Sequence, residues 1–144
     1  MGCDSSDSMP DLAFFYGTLM TGFDRRRRLN LDSKMAFRGR GWIRAALFDL
    51  GLYPAAVPAD EGSVWGEVFE LLDAPAVLAA LDSIEGYRPE EPDASLYLRK
   101  RVPVQFEDGP SREAWAYFYN APLGRAPRIE SGDYLEYLKV DRLR

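Results

Sequence analysis

The chain has 144 residues, enough for one domain with a continuous core, and its 47% hydrophobic and 28% charged residues are ordinary for a globular protein. A net charge of −5 argues against general affinity for nucleic acid or anionic membranes, and no stretch approaches the roughly 20 apolar residues that span a bilayer. There is no histidine and only one cysteine, which removes Ser-His and Cys-His nucleophile pairs, Cys/His zinc sites and an intrachain disulfide. A cytoplasmic location is the default for such cysteine usage. Proton transfer then falls to a carboxylate, lysine, tyrosine or water, and with three lysines against fifteen arginines a carboxylate is the first place to look.

Residues 1–11 are polar and acidic, and read as a disordered tail ahead of a single domain over residues 12–144. Gly2 with Ser6 has the form of a myristoylation signal, and Cys3 offers a second acyl site. Asp4, Asp7 and Asp11, and the lack of a nearby basic cluster, oppose membrane attachment. Leu12–Tyr16 is a short apolar run closed by Gly17, the pattern of a buried strand running into a turn. Such a turn is either an ordinary reversal or a concavity of backbone N–H groups that accepts an anion or a developing oxyanion.

Thr21 to Lys34 carries Arg25, Arg26, Arg27 and Arg28 in series. Flanking Asp24 and Asp32 in an acidic chain favour a solvated face over a nucleic-acid or partner-binding site. From Met35 to Pro58 the residues read as strands broken by turns, with Asp60-Glu61-Gly62 as the next turn and Val64–Leu71 as another strand. Gly66 within that strand marks a bulge or a close backbone approach.

Residues 73–86 predict a helix. Asp73 is placed as N-cap, Pro75 in the first turn, Val77, Leu78, Leu81 and Ile84 on one face, and Gly86 at the stop. Glu85 therefore stands at the carbonyl end, where the helix dipole and any burial both disfavour its ionised form and move its pKa toward proton shuttling. The residues alone leave it open whether Glu85 is a catalytic acid/base or an exposed helix-end charge. Asp82, three residues earlier, is likewise a second acid or a surface charge. Residues 87–95 read as a loop. Leu96–Phe106 is an edge or bulged strand on account of Pro103, and Asp108-Gly109-Pro110 turns into a strand through Tyr119. Residues 129–138 fold back over the body.

Four blocks in order resemble the γ-glutamylcyclotransferase-like family. They are Phe15-Tyr16-Gly17-Thr18-Leu19, Leu52-Tyr53-Pro54-Ala55 with Val64-Trp65-Gly66-Glu67-Val68-Phe69, and Leu81-Asp82-Ser83-Ile84-Glu85-Gly86-Tyr87. The fourth is Tyr97–Val102 with Ala116–Tyr119 and Ser131-Gly132-Asp133-Tyr134. The resemblance implies an α+β fold, a mixed, mostly antiparallel sheet curled into a small barrel with flanking helices. It implies an enzyme, a cyclising transferase or lyase that converts a γ-glutamyl amine or amide to 5-oxoproline and releases the amine. Glu85 maps onto the catalytic acid/base. Tyr16, Gly17, Thr18 and Leu19 map onto the substrate-binding loop, and Tyr119 onto a pocket tyrosine, with Tyr117 two residues away on the same strand face. No metal, cofactor, nucleic acid or membrane is implied. The alternatives are a ligand-binding protein of the same fold without turnover, and an Arg25–Arg28-dependent binding module. Loops 20–34, 88–95 and 120–128 are expected to set which amine leaves.

Overall fold

The computed structural model describes residues 11–17, 20, 31–51 and 53–142. Five strands close into a barrel in the order β1-β3-β2-β4-β5. They are β1 (Leu12–Phe15), β2 (Met35–Asp49), β3 (Pro54–Leu71), β4 (Tyr97–Phe106) and β5 (Ser111–Tyr119). Among the described residues two helices flank them, α1 (Ala74–Glu85) and α2 (Tyr134–Arg142), with short 3-10 turns at Asp32–Lys34 and Pro92–Ala94. All strand pairs are antiparallel except β1 with β5, which run parallel and meet at Ala13 and Trp115. This is the mixed, mostly antiparallel barrel expected from the resemblance.

All four residues of β1 are buried, so this strand lies inside the body with neighbours on both edges. Asp11, counted with the polar tail on sequence, already accepts the Leu71 N–H at 2.9 Å and extends the β1–β3 ladder by one residue.

The segment read as several strands broken by turns is instead one long hairpin. β2 and β3 pair from Met35 with Leu71 to Asp49 with Pro54, and the reversal at residues 50–53 is closed by Leu50 N–H on the Tyr53 carbonyl. The punctuating residues are absorbed as irregularities. Pro54 opens its strand, where a missing N–H costs no ladder bond. Asp60-Glu61-Gly62 is not a turn between strands. Residues 59–62 leave the register while the strand continues, with Ala45 opposite Pro58 and Arg44 opposite Ser63. Gly66 serves close approach: a Cβ there would stand 2.3 Å from the Phe15 carbonyl oxygen.

α1 follows its sequence signals closely. Val77 and Leu81 are fully buried, Pro75 occupies the first turn, and Gly86 takes the left-handed conformation at φ 69° that ends the helix. Asp73 occupies the cap position without a side-chain hydrogen bond to the helix. After α1 the chain is tied back at once, Tyr87 N–H donating to the Asp82 carbonyl and Leu96 N–H to the Gly86 carbonyl, both at 2.9 Å. α2 is fixed against the barrel by Arg40 to Asp133 at 2.7 Å and by Tyr137 to Asp49 at 2.7 Å. Among the described residues no helix is long and apolar enough to cross a membrane.

Candidate functional site

A cavity of about 150 Å³ opens where the end of β1, the β2–β3 reversal and the end of α1 converge. Each element delivers one residue type by a simple local rule. β1 is followed directly by Tyr16 and Gly17, and Met20 N–H reaches the Gly17 carbonyl at 3.0 Å. The left-handed Gly86 stops α1 so that Ile84 and Glu85 stand at the cavity rather than continuing a helix past it. β4 and β5 add Tyr97 and Tyr117, and the hairpin reversal adds Tyr53 and Pro54.

Of the residues expected at the site, Tyr16, Gly17 and Glu85 line this one cavity. Thr18 and Leu19 lie outside the described residues, as do Arg25–Arg28 and the Gly2/Cys3 lipidation motif. Tyr119 is half-buried and packs edge-on against Tyr97, with ring centroids 5.3 Å apart; it is not among the lining residues, whereas Tyr117 is. The two tyrosines of β5 share a strand face, and Tyr117 is the one whose hydroxyl reaches Asp82 of α1 and whose carbonyl accepts the Tyr16 hydroxyl at the cavity wall. Tyr53, Tyr97 and Tyr117 are the wall residues that sequence reasoning did not assign. Their signal was present as aromatic residues in the matching blocks, but their direction required the strand pairing.

The wall is held by the phenols themselves. The Tyr16 hydroxyl donates to the Tyr117 carbonyl at 2.6 Å and accepts the Ala56 N–H at 3.3 Å. The Tyr97 hydroxyl donates to the Pro54 carbonyl at 3.4 Å, and the Tyr117 hydroxyl to Asp82 Oδ1 at 2.6 Å. Burial pushes the Tyr16 hydroxyl well above the usual phenol range, with the Glu85 charge as the next cause. Burial also leads at Tyr97, reinforced by Tyr16 and Glu85. At Tyr117 burial is followed by the Asp82 contact, while Arg99 works in the opposite direction. All three hydroxyls therefore remain protonated and neutral, and the Glu85 carboxylate acts on each of them. Apolar Phe14, Phe15 and Leu96 complete the lining. Among the described residues no three His, Cys, Asp or Glu side chains converge as a metal site would require.

The arrangement offers one carboxylate in a largely apolar, phenol-lined cavity beside a strand-to-turn backbone. That combination suits proton transfer on a small substrate held by main-chain and hydroxyl groups.

Residues 13–136 match the family described as gamma-glutamyl cyclotransferase, AIG2-like. The chain is 32% identical over 128 residues to MJ1514 of Methanocaldococcus jannaschii, a protein provisionally named a gamma-glutamylcyclotransferase, covering 88% of this chain and 98% of that one. It is 37% identical over 90 residues to the gamma-glutamylcyclotransferase family protein YtfP of Escherichia coli K12, covering 62% and 67%. In three dimensions it resembles the crystal structure of an aig2-like protein from Mus musculus, with a TM-score of 0.65 and 27% identity over 86% of this chain and 88% of that one.

Proposed function

Because this chain belongs to the AIG2-like gamma-glutamyl cyclotransferase family, we propose that it cyclises a small γ-glutamyl amine or amide to 5-oxoproline and releases the amine, with Glu85 as general acid/base. The observation that carries this reading is the meeting of Tyr16, Gly17 and Glu85 in one cavity.

The chemistry asks little of the protein beyond folding the substrate and moving protons. The substrate α-amine attacks its own side-chain carbonyl carbon, forming the ring C–N bond, and the C–N bond to the leaving amine then breaks. Both reacting groups belong to one molecule, so holding them in a bent conformation removes much of the entropic barrier. Glu85 takes a proton from the α-ammonium, which frees the nitrogen lone pair, and returns a proton to the departing amine. Backbone N–H groups of Gly17, Thr18 and Leu19 receive the negative charge that develops on the carbonyl oxygen, or hold the substrate carboxylate. The phenols of Tyr16 and Tyr97 stay neutral, and among the described residues of the lining Glu85 is the one carboxylate. The single cysteine supports a cytoplasmic setting for this activity.

The test is release of 5-oxoproline from a panel of γ-glutamyl amines and dipeptides by the native protein and by Glu85→Gln. Turnover by the native protein and a loss of roughly 10²- to 10⁴-fold in the variant is the expected pattern. Equal activity in both removes Glu85 from the mechanism, and no activity in either favours a protein that binds its ligand without turning it over.

A further inference from the structure

Behind the Tyr117 wall lies a cluster of three side chains drawn from three elements. Arg99 of β4 and Tyr117 of β5 are register partners, and Asp82 of α1 reaches down onto both. The Tyr117 hydroxyl donates to Asp82 Oδ1 at 2.6 Å, and Arg99 Nε lies 3.1 Å from the same oxygen. The second contact is an ion pair rather than an aligned hydrogen bond, since Arg99 Nε has no partner of hydrogen-bond geometry. The Asp82 and Arg99 side chains are 14% and 18% exposed, so neither is a solvated surface charge. The Arg99 guanidinium is further fixed over the Trp115 ring, 4.5 Å from its centroid, and faces Tyr87 at 5.7 Å.

Asp82 and Glu85 are three residues apart on α1 and therefore stand on neighbouring positions of the same helical face. The two carboxylates have different surroundings. Glu85 lines the cavity, while Asp82 lies outside its lining and touches it only through Tyr117. A phenol carries one proton. With that proton directed at Asp82, the Tyr117 oxygen has only lone pairs to present to any other group.

We infer that Asp82 is a positioning residue of the site: held by Arg99, it accepts the hydrogen bond of the Tyr117 hydroxyl, so that the Tyr117 oxygen accepts an N–H from the substrate while the end of α1 that carries Glu85 is pinned to β4 and β5. The inference rests on the reading above, in which the substrate brings an α-ammonium and an amide N–H into the cavity. Without Asp82, the Tyr117 proton would point elsewhere, and a donor would face the substrate's own donors.

A double-mutant cycle on kcat/KM for 5-oxoproline release tests this, using Asp82→Ala, Tyr117→Phe and both together, with the γ-glutamyl substrate that the native protein turns over best. Each single change is expected to lower kcat/KM roughly 10- to 100-fold, partly through KM, as loss of a hydrogen bond to a charged group does. The double variant is expected to be little worse than either single one, because Asp82 acts through the Tyr117 oxygen. An Asp82 that serves only as the partner of Arg99 would lower activity by the same factor with or without that oxygen, and one that merely pins α1 through Tyr117 would lower kcat with KM unchanged. Multiplying losses, losses confined to kcat, or an unaffected Tyr117→Phe therefore overturn the inference. Tyr117→Phe keeps the Asp82–Arg99 pair and is expected to fold. Should Asp82→Ala not fold, Asp82→Leu, which keeps the bulk and has no acceptor for the Tyr117 hydroxyl, takes its place in the cycle with the same criterion. A native protein that releases no 5-oxoproline from any substrate overturns the functional reading itself, an outcome distinct from an active protein whose losses multiply.

Discussion

The Tyr16 hydroxyl donates to the main-chain carbonyl of Tyr117 at 2.6 Å, joining the residue that follows β1 to the body of β5. The same oxygen receives the Ala56 N–H from β3, so one side chain ties three strands together at the cavity wall. Tyr16→Phe removes the oxygen and leaves a buried N–H without its partner. Chemical denaturation is expected to register a loss of about 1–3 kcal/mol. A variant as stable as the native protein would mean that these strands need no such tie.

The close approach at Gly66 predicts a sharp contrast between two glycines. A methyl group at Gly66 would meet the Phe15 carbonyl oxygen at 2.3 Å and the Phe14 ring at 2.8 Å, both inside the barrel. At Gly109, in the β4–β5 turn, the nearest atom would be Phe106 Cβ at 4.0 Å. Gly66→Ala is expected to destabilise by about 1–3 kcal/mol or to prevent folding, as overpacking against backbone does. Gly109→Ala is expected to stay within about 0.5 kcal/mol of native, as substitutions away from packed features do. Thermal melts of the two variants side by side decide it.

Burial holds the hydroxyls of Tyr16, Tyr97 and Tyr117 above the ordinary phenol pKa of about 10. In the unfolded chain these phenols ionise near that pH, whereas the folded protein keeps them protonated and so binds more protons above it. The stability they contribute is fully present below pH of about 10 and is lost as pH rises beyond it. Denaturation midpoints are expected to fall on the alkaline side, with phenolate absorbance appearing in step with unfolding. Reversible ionisation of all eight tyrosines in the intact fold would contradict this.

Leu81 is fully buried one turn before Glu85 and seats α1 against the barrel. Leu81→Ala is expected to cost about 2–5 kcal/mol by lost transfer energy and a residual cavity. Because the same packing aims the end of α1, kcat for 5-oxoproline release is expected to fall even where the variant remains folded. Activity measured well below the melting temperature separates the two effects.

Much of this organisation was legible before any coordinates. The apolar run ending at Gly17 is β1 with its turn, and the spacing of Val77, Leu78, Leu81 and Ile84 with the stop at Gly86 marks α1 to the residue at its end. These features depend on local periodicity and on glycine, which a single segment displays by itself. The continuity of β2 and β3 was hidden, because Pro54, Pro58 and Gly62 carry turn chemistry and only cross-strand pairing reveals that the ladder survives them. The site divides along the same line. Tyr16, Gly17 and Glu85 emerged from ordered blocks, whereas the placing of Tyr117 rather than Tyr119 on the cavity wall depended on where α1 lies. Asp82 could not be distinguished from a surface charge, since its partners Arg99 and Tyr117 come from strands far along the chain.

The parallel seam between β1 and β5 has a consequence for how the protein matures. As the nascent chain leaves the ribosome, Tyr16 emerges early, but its acceptor on Tyr117 and one wall of the cavity arrive only with the last strand. The β2–β3 hairpin and α1 can assemble on local contacts, whereas the pocket must wait for barrel closure across the 101 residues between Tyr16 and Tyr117. The cavity is then completed only with the closing of the seam, so its formation during refolding reports that step.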